Sequence, residues 1–253
     1  MPEDYFGDGV AEHYDDSVAE EFEPSEIEAT ADFLAGLAGP GAALELGIGT
    51  GRIALPLLAR GVRVHGIDLS SAMVARLQVK AGAGQIGVTV GDFASTVVEG
   101  SFCLAYLVFN TIMNLTSQDQ QVACFQNVAR HLEPGGRFVI EVLVPDLQRL
   151  ARGETIRPFT VTPSHLGFDE YDVVCQSLIS HHYRFVGGRC DASSIPFRYA
   201  WPAELDLMAR LAGMTLQERW AGWNREPFSA ESTKHVSVWS KDSDWTEATT
   251  TAE

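Results

Sequence analysis

Three glycines alternate with other residues in the segment ELGIGTGR, at Gly47, Gly49 and Gly51. Glycine reaches backbone conformations with positive φ and lets a ligand approach the main chain closely. The segment follows a short apolar strand, AALEL, and ligands bind at the carboxyl ends of strands in doubly wound sheets. Its pattern is E-x-G-x-G-x-G, because Arg52 stands where the dinucleotide fingerprint G-x-G-x-x-G has its third glycine. The spacing therefore indicates a nucleotide-like ligand and disfavours NAD.

Two acidic residues end the next two predicted strands. Asp68 closes VRVHGID, where a carboxylate can accept hydrogen bonds from both hydroxyls of a ribose and disfavours a 2′-phosphate. Asp92 follows IGVTVG in the same relative position, where it could accept from an adenine amine while the amide of Phe93 donates to a ring nitrogen. The alternative is that the glycines form only a tight turn and that both aspartates cap helices.

The elements that position these residues alternate between strand and helix over about the first 145 residues. This alternation predicts an α/β fold with a doubly wound, mostly parallel sheet. Two helices are expected at 4–20 and 25–37, and another from about Arg52 to Arg60. Beyond the fifth strand, extended segments separated by turn residues predict an antiparallel β insertion. The chain is thereby divided into an N-terminal helical segment (1–38), a ligand-binding α/β core (39–145), the β insertion (146–200), the end of the core (201–241) and a disordered tail (242–253).

Composition excludes several classes of partner. The formal net charge is −16, and no Lys or Arg precedes Arg52. Such a surface repels nucleic acids and anionic membranes, so neither is expected as a partner. There is no apolar run long enough for a membrane helix and no signal peptide, which predicts a cytoplasmic protein. Four cysteines without metal-ligand spacing predict reduced, buried thiols and no metal site.

With these motifs in place, the chain resembles class I S-adenosylmethionine-dependent methyltransferases. ELGIGTGR, GIDLS, VGDF and LEPGGRFVIEV are similar to successive motifs of that family, over about residues 40–145. The resemblance implies S-adenosylmethionine as the cofactor and a seven-stranded sheet whose last strand is antiparallel. The insertion resembles amino-sugar and antibiotic N-methyltransferases. The implied cofactor-binding residues are Tyr14, Glu45, Gly47, Gly49, Gly51, Asp68, Leu69, Met73, Gly91, Asp92, Phe93 and Phe109.

Within that set, the resemblance implies that the three glycines lie against the methionyl and ribose parts of the cofactor. Asp68 would hold the ribose diol, Leu69 and Met73 would flank the adenine, and Asp92 with Phe93 would bind its edge. In similar enzymes the N-terminal helices fold over the site as a lid. Residues 1–38 are accordingly expected to form one.

Methyl transfer from a sulfonium is a direct displacement, so the catalytic residues are expected to be mainly walls that orient the reactants. Phe109, Asn110 and Thr111 follow the fourth strand and are candidates for contact with the acceptor. Asn110 could orient an amine or hydroxyl, or simply satisfy a turn. Tyr14, on the N-terminal helix, could present an aromatic face to the sulfonium or only pack that helix onto the domain.

Adjacent histidines in SHHYR are further catalytic candidates. On a strand, His181 and His182 point to opposite faces, so at most one can face a cavity and act as a general base. Alternatively, both are merely packed or solvated. The sequence does not rank other candidates for the acceptor pocket, which are Glu170, Tyr171, Arg198, Trp223 and Glu226.

These observations predict an enzyme that transfers a methyl group from S-adenosylmethionine to a nitrogen or oxygen of a small metabolite. The expected partner is a small-molecule methyl acceptor, and a homo-oligomer is possible. Two alternatives stay open at this point. One is an NAD-dependent oxidoreductase, which the loop spacing disfavours, and the other is a non-catalytic subunit that binds an adenosyl nucleoside.

Overall fold

The computed structural model describes residues 23–243 together with Gly7, Ala11, Glu12, Tyr14 and Asp15. Its strands form two sheets. They are β1 (Ala42–Leu46), β2 (Arg63–Asp68), β3 (Gly87–Val90), β4 (Phe102–Leu107), β5 (Leu132–Leu143), β6 (Ile156–Val161), β7 (His165–Asp172), β8 (Ser177–Val186), β9 (Arg189–Arg198), β10 (Met214–Trp220) and β11 (Lys234–Lys241). The first sheet has seven strands in the order β10-β11-β5-β4-β1-β2-β3, and the second has the order β6-β7-β8-β9.

The seven-stranded sheet confirms the predicted fold class. Strands β1 to β5 pair in parallel, whereas β11 is antiparallel to both of its neighbours, β5 and β10. The parallel strands are apolar because both faces of the sheet are covered. Alternate residues of β4 show this: Leu104 and Tyr106 belong to one buried cluster, while Ala105 and Leu107 belong to the other.

The helices that cover the sheet are α1 (Pro24–Ala38), α2 (Ala54–Ala59), α3 (Ser71–Gln78), α4 (Gln118–His131) and α5 (Pro202–Leu211). Two have sequence-encoded starts. The hydroxyl of Ser70 accepts from the amide of Met73, and Ser117 forms a capping box with Gln120. The helix predicted from Arg52 begins two residues later, at Ala54, because the turn of the glycine loop extends to Ile53.

The β insertion is a four-stranded antiparallel sheet packed against the segment after β4. A turn separates β7 from β8, and Gln176 in this turn has a φ of 53°. Tyr171, Leu178 and Tyr199 join the same buried cluster as Ile112 and Met113. The insertion is therefore anchored beside the residues that follow β4.

Two further expectations concern exposed and terminal parts. Cys175 and Cys190 are exposed, so the prediction of buried thiols is wrong for them; Cys175 lies in the β7–β8 turn and Cys190 near the β8–β9 hairpin. Of the helix predicted at 4–20, the residues at 11, 12, 14 and 15 are helical and most of the others lie outside the described residues, as does the tail from 244 onwards. None of the described helices is long and apolar enough to cross a membrane.

Candidate active site

The glycine loop follows β1 in the chain and is hydrogen bonded to the end of β2. Gly47, Gly49 and Gly51 all have positive φ, at 72°, 55° and 79°. A Cβ atom on Gly47 would lie 2.7 Å from the Thr111 methyl group, and one on Gly51 would lie 2.3 Å from a Leu77 methyl group. At Gly49 the nearest neighbour is the Met73 methyl group at 3.3 Å. Two of the three glycines are therefore required by local packing as well as by their backbone conformation.

Asp68 connects this loop to the neighbouring strand ends. Its carboxylate accepts hydrogen bonds from the amides of Gly49 at 2.6 Å and Ser70 at 2.9 Å. Its carbonyl oxygen accepts from the amide of Gly91 at 2.8 Å. Asp92 in turn accepts from the amide of Ala94 at 2.9 Å. The three predicted motifs meet at one edge of the sheet. Both aspartates accept from amides of the turns that follow them, but neither is the N-cap of a helix, as the alternative interpretation required: Ser70 caps the helix after Asp68, and no described helix lies between β3 and β4.

A cleft of about 340 Å³, partly open to solvent, lies between the glycine loop and the segment after β4. Six predicted site residues line it: Tyr14, Glu45, Gly47, Gly49, Phe109 and Thr111. The other lining residues, which the sequence did not single out as site residues, are Ile48, Thr50, Arg52, Ile53 and Val108. The remaining predicted cofactor residues adjoin the cleft or continue along the same edge of the sheet: Gly51, Asp68, Leu69, Met73, Gly91, Asp92 and Phe93.

A buried carboxyl forms one wall of the cleft. Glu45 is only 3% exposed, and its Oε2 accepts a hydrogen bond from the Tyr106 hydroxyl at 2.8 Å. Burial raises the pKa of Glu45 to about 8, although Tyr106 and Arg52 act in the opposite direction. Glu45 is therefore mostly protonated at neutral pH.

An aromatic ring and a strained backbone form the opposite wall. The guanidinium carbon of Arg52 lies 3.6 Å from the centroid of the Phe109 ring, in cation–π geometry. Phe109 and Asn110 have φ values of 56° and 61°, a conformation that costs about 1–3 kcal/mol for each non-glycine residue. The side-chain oxygen of Asn110 accepts from the Leu143 amide at 2.7 Å, so its predicted role toward an acceptor would fall to its NH₂ group.

The N-terminal segment is tied to the glycine loop by three residues, here called the Asp15 latch: Asp15, Thr50 and Lys80. The Thr50 hydroxyl donates to Asp15 at 2.6 Å, and the Lys80 ammonium lies 2.7 Å from the other Asp15 oxygen. Lys80 also donates to the Thr50 carbonyl at 2.8 Å. Tyr14 lines the cleft directly beside this latch.

The two candidate histidines are consecutive residues of β8 and lie on opposite faces of the second sheet, as predicted. His182 lies on the same face as the buried Leu178 and Tyr171, and its ring hydrogen bonds to His165 at 3.1 Å. Burial lowers the pKa of His182, and His165 contributes in the same direction. His181 lies on the opposite face, with its ring 4.8 Å from that of Phe168. Among the described residues that line the cleft, there is no histidine.

The structure also places the five residues that the sequence could not rank as candidates for the acceptor pocket. Arg198 is buried and pairs with Glu204 at 2.7 Å. The buried Trp223 donates to Glu141 at 3.1 Å. Tyr171 is buried in the core, Glu170 lies 3.4 Å from His181, and Glu226 is exposed.

The residues of the cleft fit an adenosyl group that carries a positive charge. Glu45 and Asp68 supply carboxyl groups, Tyr14 and Phe109 supply aromatic rings, and the loop supplies bare backbone. Among the described lining residues, Arg52 is the one basic group, and it is stacked on Phe109. A pyrophosphate would find few cationic partners in this cleft, whereas a cationic nucleoside finds acids and π faces.

Comparison with known proteins identifies the family. Residues 43–136 match a family described as a methyltransferase domain. The structure of the methyltransferase CcbJ from Streptomyces caelestis superposes with a TM-score of 0.84 at 36% sequence identity, over 94% of this chain and 98% of that one. The chain belongs to the class I S-adenosylmethionine-dependent methyltransferases. It is therefore a methyltransferase enzyme whose cofactor is S-adenosylmethionine, and neither the oxidoreductase nor the non-catalytic alternative has support.

Two further relatives are informative. The methyltransferase is 27% identical to the cypemycin N-terminal methyltransferase of Streptomyces sp over 202 residues, which are 77% of this chain and 81% of the relative. S-adenosylmethionine-bound CalS10, an amino pentose methyltransferase from Micromonospora echinaspora, shares the fold with a TM-score of 0.71 at 18% identity, over 90% and 96% of the two chains.

Proposed function

We propose that this methyltransferase methylates a nitrogen atom of a small-molecule amine. The observation that carries the proposal is the make-up of the cleft. Its walls include the aromatic residues Tyr14 and Phe109 and the buried Glu45, while the described lining residues include neither histidine nor lysine. A neutral amine needs no base to attack, but a hydroxyl must lose its proton as it reacts. The cleft is therefore better suited to an amine.

Bound S-adenosylmethionine would supply an electrophilic methyl group: the N–C bond to a neutral amine would form as the C–S bond breaks, and S-adenosylhomocysteine would be the leaving group. Positive charge develops on the acceptor nitrogen during this displacement. The rings of Tyr14 and Phe109 stabilise such a charge by cation–π attraction of roughly 0.5–2 kcal/mol. The larger contribution is alignment, which can lower the barrier by about 7–11 kcal/mol when reacting atoms are held in line.

The proposed assignment of residues follows the prediction from sequence. Cofactor binding is assigned to the glycine loop, Glu45, Asp68 and the β3 end around Asp92, together with Tyr14 and Phe109 in the cleft. Phe109, Asn110 and Thr111 are proposed to face the acceptor. Residues 1–38 are proposed to act as a lid, supported by the Asp15 latch, and 146–200 to complete the acceptor pocket. The names of two similar enzymes, a cypemycin N-terminal methyltransferase and an amino pentose methyltransferase, support an amine acceptor.

A matched substrate panel tests this proposal. The purified enzyme is incubated with S-adenosylmethionine and pairs of small molecules that differ in one amine or hydroxyl group, and release of S-adenosylhomocysteine is measured. We expect turnover of amines, at a rate that rises as the amine becomes neutral at higher pH. Turnover confined to the hydroxyl members of the pairs would refute the assignment.

His182 is proposed as a residue that positions the insertion rather than as a base, because it lies on the face that packs toward the core and is not among the described residues that line the cleft. His181→Asn is the matched control on the opposite face. We expect His182→Asn to lower kcat with little change in cofactor affinity, and His181→Asn to behave like the wild type. Full activity in both variants would remove the histidines from the mechanism.

A further inference from the structure

Glu141 is a buried carboxylate that sequence motifs did not single out. It lies near the end of β5 and is 4% exposed. Its Oε1 accepts from the Trp223 indole at 3.1 Å and from the Lys234 ammonium at 3.1 Å. Its Oε2 accepts from the backbone amide of Phe109 at 3.2 Å. One side chain thus joins three separate parts of the chain immediately behind the cleft.

The bond to Phe109 falls on the strained segment of the cleft wall. Phe109 and Asn110 are consecutive non-glycine residues in the left-handed region, which persists only where the surroundings fix it. Two further hydrogen bonds between this segment and the end of β5 reinforce the one that the Glu141 carboxylate accepts from the Phe109 amide. The Asn110 amide donates to the Glu141 carbonyl at 3.3 Å, and the Leu143 amide donates to the Asn110 side chain at 2.7 Å.

The other side of Glu141 is fixed by helix α1. Lys234 forms an ion pair with Glu26 as well as with Glu141. Trp223 packs edge-on against Phe33, with ring centroids 5.4 Å apart. Because Glu26 and Phe33 both belong to α1, that helix contacts the two other partners of Glu141, whereas the bond to the Phe109 amide does not involve α1.

We infer that Glu141 is a positioning residue of the methyltransferase: it holds the backbone of Phe109 so that the Phe109 ring forms the cleft wall under Arg52. The ring and the guanidinium are 3.6 Å apart, and Arg52 directly follows the glycine loop. A shift of the Phe109 backbone therefore disturbs the contact between its ring and Arg52 in the cleft wall. The competing explanation is that Glu141 only neutralises Lys234 and contributes stability without influencing the cleft.

A double-mutant cycle distinguishes the two explanations. The affinity of the full-length protein for S-adenosylhomocysteine is measured by calorimetry for the wild type, Glu141→Ala, Phe109→Ala and the double variant, and the thermal midpoint is recorded for each. We expect each single variant to bind about tenfold more weakly, and the double variant to bind no more weakly than Phe109→Ala alone. Independent effects, which multiply to about a hundredfold, would overturn the inference, as would unchanged affinity in Glu141→Ala.

Glu26→Ala is the matched control, because it removes the other carboxylate from Lys234 and leaves the Phe109 amide bond in place. We expect it to lower the thermal midpoint but not the affinity; a loss of affinity equal to that of Glu141→Ala would overturn the inference. If Glu141→Ala does not fold, Glu141→Leu replaces it in the cycle with the same criteria, because leucine fills the space and offers no acceptor to the Phe109 amide. The cycle uses only the product nucleoside, so failure of the proposed amine acceptor leaves its result interpretable.

Discussion

The carboxylate of Asp68 is bonded to the backbone of Gly49 across the ends of β1 and β2, at 2.6 Å. Asp68 is 9% exposed, and its carboxylate accepts a second hydrogen bond, from the amide of Ser70. Asp68 therefore shapes the glycine loop before any ligand binds. The hydroxyls of a ribose would have to share the remaining lone pairs of these oxygens with the two amides.

We predict that Asp68→Ala weakens S-adenosylhomocysteine binding by roughly a hundredfold, because it removes both the proposed ribose partner and the support of the loop. Asp68→Asn keeps one acceptor oxygen for Gly49 and should lose roughly tenfold. Asp32→Asn, on the exposed surface of α1, is the control. Calorimetry checks the order of the three variants, and equal affinity of Asp68→Ala and the wild type would remove Asp68 from the site.

A second prediction concerns the Asp15 latch. The Asp15–Lys80 pair is partly exposed, so it contributes no more than about 1 kcal/mol, which corresponds to a factor of about five in affinity. Lys80→Met should therefore speed dissociation of the cofactor by up to about fivefold, with little change in its association rate. The change should be largest at low ionic strength, because salt screens the wild-type pair.

The same latch has a defined pH dependence. Burial raises the pKa of Asp15, but its bonds to Lys80 and Thr50 outweigh this effect, and the pKa is lowered overall. A carboxylate with a lowered pKa is charged throughout the neutral range, so the latch should weaken only as the pH falls through that lowered value. Stopped-flow measurement of cofactor release against pH checks this. Faster release on going from pH 7 to pH 6 in the wild type, but not in Asp15→Asn, would contradict it.

Local sequence patterns were sufficient to predict the sheet and the meeting of three motifs at one of its edges. The alternation of strands and helices determined the fold, and Gly47 to Gly51, Asp68 and Asp92 stand at strand ends that must meet in a parallel sheet. Contacts between distant residues were not predictable. Asp15 and Thr50 are 35 positions apart, and their bond depends on how the N-terminal segment lies across the sheet.

The sequence around Glu141 indicates that this residue is unusual. In RFVIEVLV it is the one acidic residue of a strand expected to be buried on both faces. An ionisable residue in such a strand must be hydrogen bonded, since an unpaired buried charge is very costly. Its partners, Trp223 and Lys234, lie more than 80 positions further along the chain, so only the fold identifies them.

A third prediction concerns stability in acid. His235 is fully buried in β11, and burial lowers its pKa to about 3. Because the unfolded chain binds this proton near pH 6.5, the stabilising contribution of neutral His235 is lost as the pH falls below that value. Between pH 7.5 and 5.5 the free energy of unfolding should fall by about 1.4 kcal/mol through this residue. Urea titrations of the wild type and His235→Gln check the difference, and equal slopes with pH would refute it.

The last prediction links Glu45 to cofactor binding. The pKa of Glu45 is about 8 in the unliganded protein, because burial disfavours its charged form. A sulfonium in the cleft favours the carboxylate, so binding of S-adenosylmethionine should release a proton. Its affinity should therefore rise with pH up to about 8 and level off above, with a slope of at most tenfold per pH unit.

S-adenosylhomocysteine has no sulfonium and should show a shallower rise. The amino group of both ligands also titrates near pH 8. The Glu45→Gln variant keeps the side-chain volume but cannot titrate, so its pH profile shows the contribution of the ligand amino group alone. Calorimetry in buffers of different ionisation enthalpy measures the proton count directly. A wild-type profile identical to that of Glu45→Gln would mean that the Glu45 carboxyl keeps its protonation state when the cofactor binds.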